Sequence, residues 1–224
     1  MYIENYKSPA GLSAEALAKA GNKILKNIIS GFEPNVMGVI DNRISEFKNL
    51  GAQDNAAWFS ELCFCLLTAN SQARKAIAIQ NQLGAEGFLT KPQEEIVAVI
   101  RSHNHRFHNN KAKYIIEARK HSNIKDLLSG MSGKQARVFL DYNIKGLGFK
   151  EASHFLRNVG YSDVAIIDRH ILRFMHQYGL IREIPKVITP KKYLECEAIL
   201  EEFEIPQDKL DLILWYHMTG AVLK

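Results

Sequence analysis

Cysteine is scarce in this sequence. Its 224 residues hold only Cys63, Cys65 and Cys196, too few for a disulfide framework. The first two lie in the apolar stretch 62–67, so they read as reduced core residues of an intracellular protein. No apolar run approaches the ~20 residues that span a bilayer, and the N-terminus lacks a secretory-signal pattern. Neither membrane insertion nor export is expected, and the expected compartment is the cytoplasm. Convincing runs of alternating apolar and polar residues, the mark of strands, are missing too, as are long linkers, low-complexity tracts and repeats. His103, His105 and His108 have no neighbouring cysteines and no second ligand cluster, so no metal site is expected.

What is present is helical periodicity. It runs through 14–29, 43–50, 55–69, 73–83, 93–101, 111–120, 124–128, 134–142, 150–159, 169–178, 191–203 and 208–218, separated by turn signals such as Gly84 with Gly87, Lys91-Pro92 and Thr189-Pro190. This predicts an all-α chain with short connections. We expect one catalytic domain, 1–224, made of two helical lobes. Gly51 to Asn123 would form most of one lobe; the N-terminal helices and everything after Ile124 would form the other. Hydrophobic residues make up 46% and charged residues 24%, ordinary for a globular protein, and the net charge of +5 favours an anionic partner.

One segment carries chemistry. Ser132, a candidate N-cap, opens a helical pattern to Tyr142, and a second pattern runs from Phe149 to Val159. Between them stands Lys145-Gly146-Leu147-Gly148, so residues from about 132 to 160 read as a helix-hairpin-helix element. Two glycines flanking one apolar residue allow a tight turn whose N–H groups can approach a phosphate. Lys150 falls in the first turn of the second helix, and Asp168 follows eighteen residues later, before another helical pattern. A lysine beside such a turn is an amine nucleophile or a phosphate contact. An aspartate before a helix is a catalytic carboxylate or a cap.

Together these residues resemble the signature of the helix-hairpin-helix DNA glycosylase superfamily. Further strings are similar to the second class of 8-oxoguanine DNA glycosylases, the compact family found mainly in archaea and some bacteria: Glu61-Leu62-Cys63-Phe64-Cys65-Leu66-Leu67-Thr68-Ala69-Asn70, Arg106-Phe107-His108-Asn109-Asn110-Lys111-Ala112-Lys113-Tyr114-Ile115 and Ala152-Ser153-His154-Phe155-Leu156-Arg157-Asn158-Val159-Gly160. The similarity runs from about Phe59 to Lys224. It implies a two-lobed helical fold with a DNA cleft and, since the four-cysteine cluster of other superfamily members is missing, no iron–sulfur cluster. It also implies excision of 8-oxoguanine from double-stranded DNA followed by strand cleavage, by a monomer working at the nucleoid.

The roles implied for single residues follow from that resemblance. Lys150 would attack C1′ of the sugar and form a Schiff base that permits β-elimination. Asp168 would support the developing cation. Gly146 and Gly148 would bind the DNA backbone through their amides, with a monovalent cation in the turn as the one candidate cofactor, and Lys145 would add a charge contact. Phe107 would stack on a base or else anchor the next helix in the core. Trp215, off the apolar stripe of the last helix, would be a base-stacking wall or a packing residue. His217 lies on the stripe and reads as a core histidine. Gly220 would end that helix and leave a short tail in which Lys224 recognises the base. Two alternatives stay open: a related glycosylase for other damaged bases, and a noncatalytic DNA-binding module.

Overall fold

A computed structural model describes residues 14–224 and, among them, twelve α-helices and no strand. The helical pattern of the sequence thus has its counterpart along the described chain. No helix among these residues is long and apolar enough to cross a membrane. One of the expected helices is longer than its apolar pattern suggested: the second runs over Val36–Ala52. The fourth, Ala73–Thr90, is broken by a kink at Gly84, whose non-helical backbone (φ +62°) falls at the expected turn signal, and helix resumes beyond it. The described backbone divides into two compact units, 14–44 with 162–222, and 45–161 with 223–224.

The larger unit is built around α3 (Asn55–Thr68), which starts where the Asp54 side chain accepts a hydrogen bond from the Ala57 amide at 3.0 Å. From Trp58 to Thr68 every residue is buried, so this helix is enclosed on all sides and its sequence shows little amphipathic alternation. On it pack α4, α6 (His108–Ala118), the short α7 (Ile124–Leu127) and α9 (Phe149–Asn158), while α5 (Gln93–Ser102) packs on α4 and α6, and α8 (Gly133–Asn143) on α9. The end of α2 approaches the turn after α9 closely: a Cβ on Gly51 would lie 2.5 Å from the Val159 carbonyl oxygen, a contact only glycine permits.

This unit corrects the expected lobe boundary, which assigned everything after Ile124 to the N-terminal helices. Residues 124–161 belong with 45–123 instead. The reason is the buried face of α9. Phe155 packs edge-on against Trp58 with ring centroids 5.9 Å apart, and Asn158 Nδ2 donates to Glu61 Oε1 at 2.6 Å, so α9 docks on α3 through both apolar and polar contacts.

In the other unit α1 (Ala14–Ser30) buries Leu17, Leu25 and Ile28. Gly21 of that helix packs on the ring of Phe203. The unit also holds α10 (Arg169–Gln177), α11 (Pro190–Glu201) and α12 (Gln207–Thr219). The amphipathic α10 buries Ile171, Leu172, Phe174 and Met175. Before it runs the buried, non-helical stretch Val164–Ile167, three of whose backbone groups are met from α11. Glu197 accepts from the Ala165 amide at 2.9 Å, and the Tyr193 hydroxyl donates to the Ala165 carbonyl at 2.7 Å and accepts from the Ile167 amide at 3.1 Å. These bonds fix the approach of the chain to Asp168.

Candidate active site

The helix-hairpin-helix element forms as its residues predict. Ser132 caps α8 in a reciprocal box, its Oγ accepting from the Gln135 amide at 3.3 Å while Gln135 Oε1 accepts from the Ser132 amide at 2.9 Å. The chain then turns through Lys145–Gly148. Leu147 is buried, its amide bonded to the Ile144 carbonyl at 3.1 Å, and Gly146 adopts φ +89°. Gly148 is the N-cap of α9, and its carbonyl accepts from the Ala152 amide at 2.8 Å.

The two glycines differ in what they do for the fold. A Cβ on Gly146 would lie 2.4 Å from the Tyr114 ring, whereas one on Gly148 would meet only Glu151 Oε2 at 3.6 Å. Neither amide is hydrogen-bonded among the described residues. Unpaired N–H groups at the start of a helix are anion-binding groups, and the helix dipole adds to the attraction. Lys145 extends beside them, 60% exposed and 3.7 Å from Glu117, with its ammonium 5.9 Å from the Tyr114 ring centroid.

Lys150 is the second residue of α9. Its side chain is 33% exposed and its Nζ lies 3.0 Å from Glu151 Oε1. Four residues on, and therefore on the same face of the helix, His154 packs edge-on against Phe64 with centroids 5.6 Å apart. Burial holds the His154 imidazole well below its usual pKa, and the cations Arg157, Lys150 and Lys224 push it the same way. The nearby Lys224 backbone opposes them.

Phe107 is 51% exposed, which removes the alternative of a core anchor. It precedes α6 in the left-handed region at φ +59°, an uncommon conformation for an aromatic residue, with the Arg106 guanidinium 5.2 Å from its ring. Buried side chains hold the adjoining chain. His105 nitrogens contact the Leu67 and Arg106 carbonyls at 2.8 and 2.6 Å, and Lys111 Nζ donates to the Leu66 carbonyl at 2.5 Å. Burial lowers the Lys111 pKa from 10.5 to about 8, with Lys150 contributing and Glu151 opposing. Sequence reasoning overlooked Lys111. Its only trace was its place beside Ala112 and four residues before Ile115, on the buried face of α6.

Lys224 is drawn in the same way to the buried Glu61 and the partly buried Gln80: Nζ is 2.9 Å from Glu61 Oε2 and donates to Gln80 Oε1 at 2.7 Å. Glu61 and Gln80 were also missed. A glutamate inside an otherwise apolar string was the available signal, since a buried carboxylate requires partners. Lys145, Gly146, Gly148, Lys150, Phe107 and Lys224 thus all belong to the larger unit.

Asp168 and Trp215 belong to the other. Asp168 is the N-cap of α10, its Oδ1 accepting from the His170 and Ile171 amides at 2.8 and 2.9 Å. Both bonds fall on one oxygen, so Oδ2 takes no part in the cap. His170 in turn packs edge-on against Trp215, centroids 4.8 Å apart. The indole of Trp215 is half-buried, and its N–H has no acceptor among the described residues. His217, expected in the core, is exposed instead, 3.1 Å from the Tyr178 hydroxyl. It lies in the last turn before Gly220, where α12 has run past its buried segment, so the apolar stripe no longer implies cover.

Comparison with known proteins agrees with this architecture. The family model for 8-oxoguanine DNA glycosylase matches residues 40–207. An 8-oxoguanine DNA glycosylase/AP lyase of Methanocaldococcus jannaschii is 50% identical over 206 residues, covering 90% of this chain and 99% of that protein. One from Aquifex aeolicus is 43% identical, covering 85% and 95%. Among solved structures, the Methanocaldococcus jannaschii 8-oxoguanine glycosylase/lyase in complex with 15mer DNA containing 8-oxoguanine superposes with a TM-score of 0.82 at 50% identity, covering 93% of this chain and 99% of that one. The Thermotoga maritima 8-oxoguanine DNA glycosylase gives 0.78 at 40% identity, covering 95% and 100%. With the helix-hairpin-helix element formed and three-quarters of its length matched by the family model, the chain belongs to the 8-oxoguanine DNA glycosylase family.

Proposed function

We propose that this chain excises 8-oxoguanine from double-stranded DNA and cleaves the strand at the resulting site, with Lys150 as nucleophile. The observation that carries the reading is an amine in the first turn of α9, directly after a hairpin whose glycine amides lack acceptors, in a member of this family. A base inside a duplex is out of reach, so it must be flipped out at a cost of a few kcal/mol. The unprotonated Lys150 amine attacks C1′, the C1′–N9 bond breaks, and the base leaves with a proton. Ring opening yields an imine that acidifies the C2′ proton; its loss expels the 3′ phosphate, and water then hydrolyses the imine to free the lysine. Asp168 supplies negative charge as the sugar becomes cationic.

Gly146 and Gly148 bind the backbone of the DNA, and Lys145 adds charge. Phe107 and Trp215 offer aromatic surfaces to bases, and Lys224 distinguishes the oxidised base. No redox or nucleotide cofactor enters these steps. Carbonyls 145–147 are unbonded among the described residues, so the turn offers oxygen donors for a monovalent cation. The chain works as a monomer, in the cytoplasm on nucleoid DNA. A single-turnover assay over duplexes bearing 8-oxoguanine, oxidised pyrimidines or alkylated bases tests the reading: cleavage should be fastest at 8-oxoguanine, and faster processing of another lesion would overturn it. A noncatalytic module would bind all of them and cleave none.

A further inference from the structure

Glu61 stands in the middle of the buried helix α3 and is itself 2% exposed. A carboxylate at that depth is tolerated only when fully paired. Here Oε1 accepts from Asn158 at 2.6 Å, and Oε2 accepts from Gln80 at 3.0 Å and faces Lys224 Nζ at 2.9 Å. Asn158 is steadied by Arg157, whose Nε and Nη2 donate to its Oδ1 at 3.1 and 2.8 Å. Gln80 turns its own carbonyl oxygen to the same ammonium at 2.7 Å, and the Phe64 ring lies 4.2 Å from it. A carboxylate, an amide oxygen and an aromatic face therefore converge on one lysine, forming a socket for an ammonium ion.

A buried ion pair seldom adds net stability over an apolar pair of the same size, so the socket calls for another purpose. Its geometry supplies one. The ring of His154, one helical turn beyond Lys150 on α9, packs on the same Phe64 that faces the ammonium, and Asn158 of that helix holds the same Glu61. The Lys224 ammonium is thereby linked, through Glu61 and Phe64, to the helix that carries the nucleophile. 8-Oxoguanine presents an N7–H donor where guanine presents an acceptor, so a fixed main-chain oxygen there attracts the first and repels the second.

We propose that Glu61 is a specificity-determining positioning residue, which acts through Gln80 and the Lys224 ammonium to hold the Lys224 main chain where it reads N7 of the flipped base. The inference rests on the 8-oxoguanine activity proposed above.

The test compares Glu61→Gln, Gln80→Met, Lys224→Met and the double variant Glu61→Gln/Lys224→Met with the unaltered chain. Single-turnover excision from an 8-oxoguanine duplex is measured beside cleavage of a duplex with a preformed abasic site, where there is no base to read. Glu61→Gln should slow excision at least ten times more than abasic cleavage, and add less than twofold to the loss caused by Lys224→Met. Gln80→Met removes a partner of the ammonium while leaving the carboxylate paired with Lys224 and Asn158, and should lower the same ratio if Glu61→Gln does not fold. Equal losses in the two assays, full additivity with Lys224→Met, or an unchanged ratio in the folded variants would overturn the role of Glu61 while the activity stands. Failure of the unaltered chain to excise 8-oxoguanine would overturn the activity and this inference together.

Discussion

Gly146 and Tyr114 are matched as lock and key: a single added Cβ at the glycine would sit 2.4 Å from the tyrosine ring, and at φ +89° the backbone also disfavours any side chain. Gly148, two residues on, has space around it. Gly146→Ala should therefore destabilise the fold by roughly 2–3 kcal/mol, strain and overpacking acting together, measured by denaturant unfolding. Gly148→Val should leave stability within about 1 kcal/mol and lower affinity for damaged and undamaged duplexes alike. Normal binding by the folded Gly148→Val protein would show that this turn does not approach phosphate. In the unaltered protein the affinity should fall steeply with salt, as counterion release requires.

Lys150→Gln should abolish the borohydride-trapped complex with 8-oxoguanine DNA, because the amide cannot form an imine. Undiminished trapping would assign the nucleophile elsewhere.

Asp168→Asn keeps an oxygen that can accept from the His170 and Ile171 amides, so the α10 cap and DNA binding should survive. Base excision should slow by about 100-fold or more, since the charge that supports the transition state is gone. Single-turnover excision at the normal rate would reduce Asp168 to its cap.

Lys111 gives a stability signature with a definite sign. Its pKa in the folded protein is about 8 against 10.5 ordinarily, so between those values the unfolded chain binds more protons than the folded one. The cost of burying the charged amine is fully present below pH 8 and is relieved as pH rises toward 10.5, by up to about 3 kcal/mol at 1.36 kcal/mol per unit. Unfolding free energies of the unaltered protein and Lys111→Met, measured between pH 7 and 10, should move in favour of the unaltered protein as pH rises. A constant difference would refute the assignment.

Phe107→Gly should leave stability unchanged or raise it by up to about 1 kcal/mol, because glycine adopts φ +59° without strain and the lost ring is half exposed. Excision should nevertheless slow. Unaltered excision would remove Phe107 from base recognition.

The helices and the hairpin were legible in the sequence because their signals are local. Ser132 with Gln135, the paired glycines and the apolar spacing of 149–159 each act within a few residues. The lobe boundary was not legible, since it depends on α9 docking on α3 through Asn158 and Glu61, residues 97 positions apart in the chain. Lys111 and Gln80 stayed hidden for a related reason: a lysine or glutamine reads as surface until its buried partners are known. His217 shows the opposite error, an apolar stripe extended past the point where the fold covers it.

Side chains, rather than a glycine turn, complete the end of α3. The carbonyls of Leu66 and Leu67 are met by Lys111 and His105, on either side of Phe107. The innermost helix is therefore finished by the same short segment that displays an exposed aromatic ring. That segment cannot swing open as an independent flap, for opening it would leave two buried carbonyls bare. In native-state hydrogen exchange the amides of residues 105–111 should open together with those of the core helix, one cooperative unit instead of a mobile loop on a rigid body.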